Sequence, residues 1–194
     1  MFTHKQKIVK IVIKNKYMNL LKEVPAGDNV PEEINVIVEI PKGSKNKYEV
    51  DEEHGYICLD RSLYSSVYFP FEYGTMPQTL SEDGDPLDIV LLTSSPTFPG
   101  CVVKARVIGV LLMEDESGID NKVIAVPQTK LDPRFKEIES INDLSEHQKK
   151  EIQEFFETYK RLEPNKFVKV NGWQDKTEAE AIVKLSVEKY GKTD

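Results

Sequence analysis

The sequence predicts an α+β fold in which a small antiparallel β-barrel forms most of the core. Short apolar and β-branched runs separated by turn residues fill the first two-thirds of the 194-residue chain, and two amphipathic helical patterns fill the last third. Strands and helices do not alternate as βαβ units, and no linker rich in Pro, Gly or Ser divides the chain. We therefore expect one domain, residues 18–194, preceded by an arm, residues 1–17.

The predicted strands are recognised by their alternation. In INVIVEI (34–40) the even-numbered residues face one way, and the odd-numbered residues, Glu39 among them, face the other. The same period of two places Lys47 and Glu49 on a common face of KYEV (47–50). Four further runs predict strands: YICLD, DIVLLT, CVVKARVIGVLLM and KVIAVP.

The two predicted helices are recognised by their caps and apolar stripes. Ser145 with Gln148 forms a capping box at the start of the first helix. Its expected apolar stripe consists of Ile152, Phe155, Phe156, Tyr159 and Leu162. Thr177 with Glu180 is the expected capping box of the second helix, which runs to about Tyr190.

Composition and charge restrict the class of protein. With 30% charged and 39% hydrophobic residues, the chain has a soluble globular composition. Its net charge of −7 argues against a sequence-independent grip on nucleic acid or an anionic membrane. An anionic substrate remains compatible, because cations recruited by the acidic groups reverse the local charge.

Cellular location is predicted from cysteines and apolar runs. Cys58 and Cys101 form no CxxC pair and are expected to be buried free thiols, which suggests a reducing compartment. No apolar run approaches the ~20 residues needed to cross a bilayer. The N-terminal segment MFTHKQKIVKIVIKNK lacks the uninterrupted apolar stretch of a signal peptide and is interpreted as an edge strand or a loose basic arm.

The stretch SEDGDPLDIV carries four acidic side chains: Glu82, Asp83, Asp85 and Asp88. Carboxylates this close repel one another and resist desolvation unless positive charge lies among them. A solvated turn is one interpretation, because DGDP has good turn chemistry. An EF-hand fits poorly, because the twelfth position from Asp83 is Ser94 and not Glu. An aspartyl-phosphate phosphatase also fits poorly, because the apolar strand follows the acids instead of preceding them.

A second acidic cluster, MEDESGIDNK (113–122), also lies at the end of an apolar run. Its Asp115, Glu116 and Asp120 bracket another turn, and alone it is best read as a solvated hairpin loop. Two carboxylate-rich turns on one small barrel, however, supply oxygen ligands that suit Mg²⁺ or Mn²⁺ and not zinc. Basic and phenolic side chains near the apolar runs match the needs of a small polyanion such as a phosphate compound.

The motifs resemble those of the soluble family I inorganic pyrophosphatases of bacterial type. DGDPLD (83–88) is similar to their signature D-x-D-P-x-D, which an apolar strand follows. Further similar segments occur in the family's order: VPAG, VEIPKGS, KYEVD, LDR, FPFEYG, DESGIDNK, FFETYK and VNGW. The resemblance extends from Leu21 to about Tyr190, and a series of matches is far more specific than one.

The resemblance implies a fold, an activity and an assembly. The fold is a five-stranded OB-like antiparallel barrel with two main C-terminal helices. The activity is hydrolysis of inorganic pyrophosphate to two phosphates by a metal-activated water, with Mg²⁺ as cofactor and Mn²⁺ as a substitute. The expected state is a cytoplasmic homohexamer with no nucleic-acid or membrane partner.

The resemblance also implies residue roles. Six carboxylates are expected to bind metal: Asp83, Asp88, Asp115, Asp120, Glu39 and Glu49. Asp83, Asp88 and Asp120 form the tightest site in this interpretation. Asp85 orients or deprotonates the attacking water, and Tyr73 lies near that water. The phosphate-binding set consists of Lys47, Arg61, Lys122, Tyr159 and Lys160.

Two positions depart from the family pattern. Phe69 stands where Tyr is common, and Tyr68 is not expected to replace that phenol, because neighbouring strand residues point to opposite faces. Glu72 stands where Asn is usual and is expected to add negative charge near the mouth of the site.

Two other functions remain alternatives at this point. A non-catalytic OB-type module for oligonucleotides or sugars needs a basic groove with exposed aromatic residues and has no use for two acidic turns. A Mg²⁺-dependent phosphatase of organic phosphates needs a separate nucleoside or sugar pocket, and the sequence offers no obvious one.

Overall fold

The structure is a computed structural model that describes residues 18–192. The arm predicted for residues 1–17 lies outside the described residues. The strands within this range are β1 Glu33–Ile40, β2 Asn46–Val50, β3 Ile57–Ser62, β4 Glu72–Thr75, β5 Asp88–Leu91, β6 Val102–Asp115, β7 Gly118–Ile119, β8 Lys122–Pro127 and β9 Val168–Gln174. The α-helices are α1 Leu20–Glu23, α2 Glu146–Thr158 and α3 Lys176–Tyr190, and Pro133–Phe135 and Ile141–Asp143 form 3₁₀ turns.

Five strands close into a ring. β1 pairs with both β4 and β6, β4 pairs with β5, β5 pairs with β8, and β8 pairs with β6. The predicted α+β class and five-stranded OB-like core are therefore confirmed. The pairing is not antiparallel throughout, because β5 and β8 run parallel, with Ile89 opposite Val123 and Leu91 opposite Ala125. Segment 92–101 leads from β8, where the N–H of Leu92 donates to Ala125, to β1, where the N–H of Gly100 donates to Val38. β6 then runs antiparallel to β8, and β8 runs in the direction of β5.

The alternation predicted for β1 is present, but both of its faces are buried. Ile34, Val36 and Val38 pack into one apolar cluster, while Ile37 packs with Leu21 and Val50 on the other face. The hairpin of β2 and β3, which forms a separate two-stranded sheet, and the short helix α1 contribute this second layer. Glu39 is therefore buried together with its apolar neighbours.

Helix α2 begins as predicted and ends earlier. Ser145 and Gln148 form the expected capping box. The stripe from Ile152 to Tyr159 packs against the ring, but Leu162 is 63% exposed because the helix ends at Thr158. The prediction for Leu162 is therefore wrong.

Helix α3 has a different cap from the predicted one. The side chain of Asp175 accepts hydrogen bonds from the N–H groups of Thr177 and Glu178, so the helix begins two residues before the expected box. The carboxylate at the N-cap also complements the positive end of the helix dipole.

Three strands were not predicted from the sequence. β4 is a four-residue strand that contains Gly74, β7 has two residues, and β9 lies between the two long helices. β9 pairs along the outer edge of β6, with Leu111 opposite Trp173. The 14-residue strand β6 thereby connects β1, β7, β8 and β9.

Two further observations bear on the surroundings of the protein. None of the helices within residues 18–192 has the length and apolarity that a bilayer span requires. Cys58 and Cys101 are free thiols, as expected, but both are only partly buried.

Candidate active site

One end of the ring opens into a cleft of about 610 Å³. Asp88 and Lys122 are the first residues of the parallel strands β5 and β8, so the two side chains enter the cleft side by side. Every residue predicted for the site lines this cleft. These residues are Glu39, Lys47, Glu49, Arg61, Tyr73, Asp83, Asp85, Asp88, Asp115, Asp120, Lys122, Tyr159 and Lys160.

The centre of the cleft is an ionic cluster around Lys122. Its Nζ donates hydrogen bonds to Oδ2 of Asp88 and Oδ1 of Asp120, and the lysine side chain is 3% exposed. Burial alone would lower the pKa of Lys122, but the two carboxylates outweigh it and raise that pKa. Burial and the nearby Asp88 raise the pKa of Asp120 in spite of the lysine. Two carboxylates thus converge on one cationic group.

A second ionic cluster joins the β6–β7 hairpin to the segment after α2. Lys160 Nζ lies 2.6 Å from Oδ2 of Asp115 and 3.7 Å from Oε1 of Glu116. Glu116 also pairs with Lys166. Burial alone would raise the pKa of Asp115, but the hydrogen bond from Lys160 and the N–H of Ser117 hold it below its usual value.

Two carboxylates that were not predicted hold the cations of the β2–β3 hairpin. Lys47 forms an ion pair with Glu49, as their common face predicted, and its Nζ also lies 3.2 Å from Oδ2 of Asp60. Arg61 contacts Asp60 through NH1. Its Nε lies 3.1 Å from Oε1 of Glu163, and its NH2 lies 2.9 Å from Oε2. Asp60 directly precedes Arg61 in LDR, whereas no local pattern marks Glu163, which is 102 positions away.

The acidic turn, residues 82–88, is held by short-range hydrogen bonds. Oδ1 of Asp83 accepts the N–H of Asp85 at 3.1 Å, and the N–H of Ser81 donates to the carbonyl of Asp85 at 2.8 Å. Gly84 between the two acids has φ +98°, which favours glycine. Partial burial and the neighbouring Asp83 raise the pKa of Asp85. The predicted water-handling carboxylate is therefore more basic than an isolated Asp.

Glu39 and two phenols lie deeper in the cleft. Oε1 of Glu39 accepts the N–H of Val50 at 2.8 Å, and burial raises the pKa of Glu39 to about 8. Burial also raises the pKa of both Tyr73 and Tyr159, so the phenols stay protonated at neutral pH. Lys122 Nζ lies 5.6 Å from the centroid of the Tyr73 ring.

The two departures from the family pattern have different outcomes. Phe69 packs beneath the cleft, with its ring centroid 5.8 Å from that of Tyr73 and 4.6 Å from that of Phe155. Tyr68 is 58% exposed and does not line the cleft, as expected. The prediction for Glu72 is wrong: it does not line the cleft. Its two carboxylate oxygens accept hydrogen bonds from the N–H and the hydroxyl of Thr97.

The donor set fits a divalent cation in chemistry and charge. Carboxylate oxygens supply all the anionic groups of the cleft, and Mg²⁺ prefers such hard oxygen ligands. Among residues 18–192, no three acidic, histidine or cysteine side chains are grouped around one position that could hold a metal ion. Asp88 and Asp120 nevertheless both pair with one cation, the ammonium group of Lys122. Positive charge is therefore needed at the position where these two carboxylates meet.

Fold and cleft together define a class of protein. It is an OB-like α+β protein with a cleft in which carboxylates alternate with lysine, arginine and tyrosine side chains, an arrangement suited to a compact polyanion and its counter-cations.

Comparison with known proteins identifies the family. The family model described as "Inorganic pyrophosphatase" matches residues 36–191. The inorganic pyrophosphatase of Sulfolobus acidocaldarius is 50% identical over 163 residues, which is 84% of this chain and 94% of the relative. That of Aquifex pyrophilus is 47% identical over 171 residues, which is 88% and 97% of the two chains. The crystal structure of the Thermus thermophilus inorganic pyrophosphatase is similar with a TM-score of 0.86 and 48% identity, covering 90% of this chain and 99% of that one. The chain belongs to the inorganic pyrophosphatase family.

Proposed function

We propose that this protein hydrolyses inorganic pyrophosphate to two phosphates with the help of divalent cations. The observation that carries the proposal is the composition of the cleft: within about 610 Å³, carboxylates lie beside five cationic side chains, Lys47, Arg61, Lys122, Lys160 and Lys166. Pyrophosphate is small and multiply charged, so it needs both groups that neutralise its oxygens and groups that handle a water. Membership of the inorganic pyrophosphatase family supports the same reaction.

The carboxylates would hold the cations. Asp83, Asp88 and Asp120 are proposed for the tightest site, Asp115 for a neighbouring site shared with Asp120, and Glu39 with Glu49 for a site nearer the substrate. When bound, a divalent cation supplies positive charge to phosphate oxygens and acidifies water. We propose Mg²⁺ as the natural ion and Mn²⁺ as a substitute, because both accept oxygen-only ligand sets.

The chain's own side chains bind the phosphates and handle the proton. Lys47, Arg61, Lys122 and Lys160 donate charge-assisted hydrogen bonds to phosphate oxygens, which stabilises charge on the leaving phosphate. The protonated phenol of Tyr159 adds a neutral donor, and that of Tyr73 lies near the water. Asp85 orients the attacking water or accepts its proton, a role for which its raised pKa is favourable.

One assay tests the reaction class. Phosphate release is measured from pyrophosphate, ATP and p-nitrophenyl phosphate, each with Mg²⁺, with Mn²⁺ and with EDTA. Rapid, cation-dependent release from pyrophosphate with little release from the organic phosphates is the expected result. Preference for an organic phosphate would indicate a general phosphatase. If no phosphate is released from any of the three compounds, the protein is a non-catalytic binding module.

We also propose a homohexamer in the cytoplasm. Large apolar side chains exposed on the described surface, such as Leu59, Tyr64 and Tyr68, are compatible with contacts between subunits. The free thiols favour a reducing compartment. Sedimentation equilibrium tests the assembly, and a monomer at micromolar concentration would contradict it.

A further inference from the structure

The buried hydroxyl of Thr79 helps to connect the ring to the acidic turn that carries Asp83, Asp85 and Asp88. Thr79 is 2% exposed and lies on the segment that leads from β4 into the turn. Its Oγ1 donates a hydrogen bond to the carbonyl of Met76 at 2.6 Å and accepts one from the N–H of Leu87 at 2.9 Å. The hydroxyl therefore bridges the chain entering the turn and the chain leaving it.

Leu87 is the residue through which this bridge reaches the carboxylates. It is buried, and it separates Asp85 and Pro86 from Asp88. Its carbonyl accepts the N–H of Met76 at 2.9 Å, so both backbone groups of Leu87 are fixed to the entering segment. Pro86 has no N–H, and the N–H of Asp85 is used within the turn. The Thr79 bond thus fixes the N–H of Leu87, while the N–H of Met76 and, at 3.4 Å, the hydroxyl of Thr75 fix its carbonyl.

We propose that Thr79 is a positioning residue, whose hydroxyl fixes the separation of Asp85 from Asp88 and thereby prepares the turn to bind divalent cation. The inference rests on the function proposed above. Thr79 does not line the cleft, so we expect it to act through the backbone of the turn. Groups that orient metal ligands in this way affect metal affinity or activity by about 10- to 100-fold when they are removed.

Three variants of the full chain test the proposal. Thr79→Val keeps nearly the same shape but removes the donor and the acceptor, whereas Thr79→Ser keeps both. Thr97→Val is the matched control, because it removes a hydroxyl bond to the buried Glu72, outside the cleft. Thr79→Ala replaces Thr79→Val if the latter does not fold.

Three measurements are made on each variant: Mg²⁺ binding by calorimetry, kcat and KM for pyrophosphate, and amide hydrogen exchange of Leu87. Thr79→Val should lose protection at Leu87, bind Mg²⁺ about 10-fold more weakly and show a lower kcat. Thr79→Ser should restore all three values. Thr97→Val should reduce thermal stability but leave Mg²⁺ affinity unchanged.

The proposal is wrong if Thr79→Val binds Mg²⁺ as tightly as Thr79→Ser, or if Thr97→Val weakens Mg²⁺ binding equally. A wild-type protein that does not hydrolyse pyrophosphate would contradict the proposed function instead. In that case, Leu87 exchange and Mg²⁺ binding still decide the role of Thr79.

Discussion

Lys160 and Asp115 form an ion pair of 2.6 Å between segments that are 45 residues apart in the chain. Both side chains are nearly buried, with 11% and 9% of their surface exposed. The pair connects the end of β6 to the chain that leaves α2, so it closes one wall of the cleft. Loss of either partner leaves the other charge poorly solvated.

Lys160→Met should lower the free energy of unfolding by about 2 kcal/mol in EDTA, because Asp115 then lacks its charged partner. The double variant with Asp115→Asn should be destabilised by less than the sum of the two single variants. Urea unfolding of the four proteins measures the coupling. Strictly additive values would show that the pair contributes nothing to stability.

Asp83→Asn should raise the Mg²⁺ concentration needed for activity. The amide keeps the oxygen that accepts the N–H of Asp85, so the turn is retained while an anionic ligand is lost. Metal affinity should fall about 10-fold or more, and excess Mg²⁺ should restore part of the rate. Activity titrated with Mg²⁺ gives the answer, and a rate that no concentration of Mg²⁺ improves would assign Asp83 a different role.

Asp85→Asn should affect the chemical step instead. Removal of a proton acceptor typically lowers the rate by ~10²–10⁴-fold. Extra Mg²⁺ should not restore this rate, whereas higher pH should recover part of it by supplying hydroxide. Both variants need Mg²⁺ titrations at several pH values. Rescue of Asp85→Asn by metal, without rescue of Asp83→Asn, would reverse the two roles.

Glu39→Gln should stabilise the metal-free protein at alkaline pH. The folded protein raises the pKa of Glu39 from 4.5 to about 8, so it holds an extra proton between these values. Stability contributed by this group therefore falls as pH rises from 4.5 to about 8. The difference in unfolding midpoint between variant and wild type, measured in EDTA, should grow over this interval. The exposed Glu137→Gln is the control, and a pH-independent difference would argue against the raised pKa.

Removal of residues 1–17 should leave most of the activity, because every proposed site residue lies beyond them. The rate of phosphate release is measured for the full and the shortened chain at the same Mg²⁺ concentration. Removal of a supporting group typically lowers activity by up to about a hundredfold. If a folded truncated chain loses that much activity, the arm belongs to the site or to a required interface.

Prediction from the sequence succeeded where spacing is local. The alternation around Glu39, the common face of Lys47 and Glu49, and the cap at Ser145 are each decided by neighbours within a few residues. The resemblance to the family brought the distant segments together, and all of its proposed residues line one cleft. Their individual roles remain predictions.

The failures have non-local causes. β9 is half-exposed and, within residues 18–192, pairs only with the outer edge of β6, so its own pattern is weak. Glu163 reaches Arg61 across 102 positions, which no periodicity reveals. Glu72 faces Thr97 because the short strand β4 directs the adjacent Tyr73 into the cleft. In each case a tertiary partner decided where the side chain lies.

The order in which β6 acquires its partners has a consequence for synthesis on the ribosome. β1 is made about 70 residues before the part of β6 with which it pairs, and β9 is made about 60 residues after its partner residues in β6. Because these pairings are distant in sequence, the sheet has a high contact order and should fold slowly. Lys122 is made 34 residues after its partner Asp88, and Lys160 is made 45 residues after its partner Asp115. A nascent chain therefore exposes the carboxylates of Asp88 and Asp115 before the lysines that neutralise them have been translated.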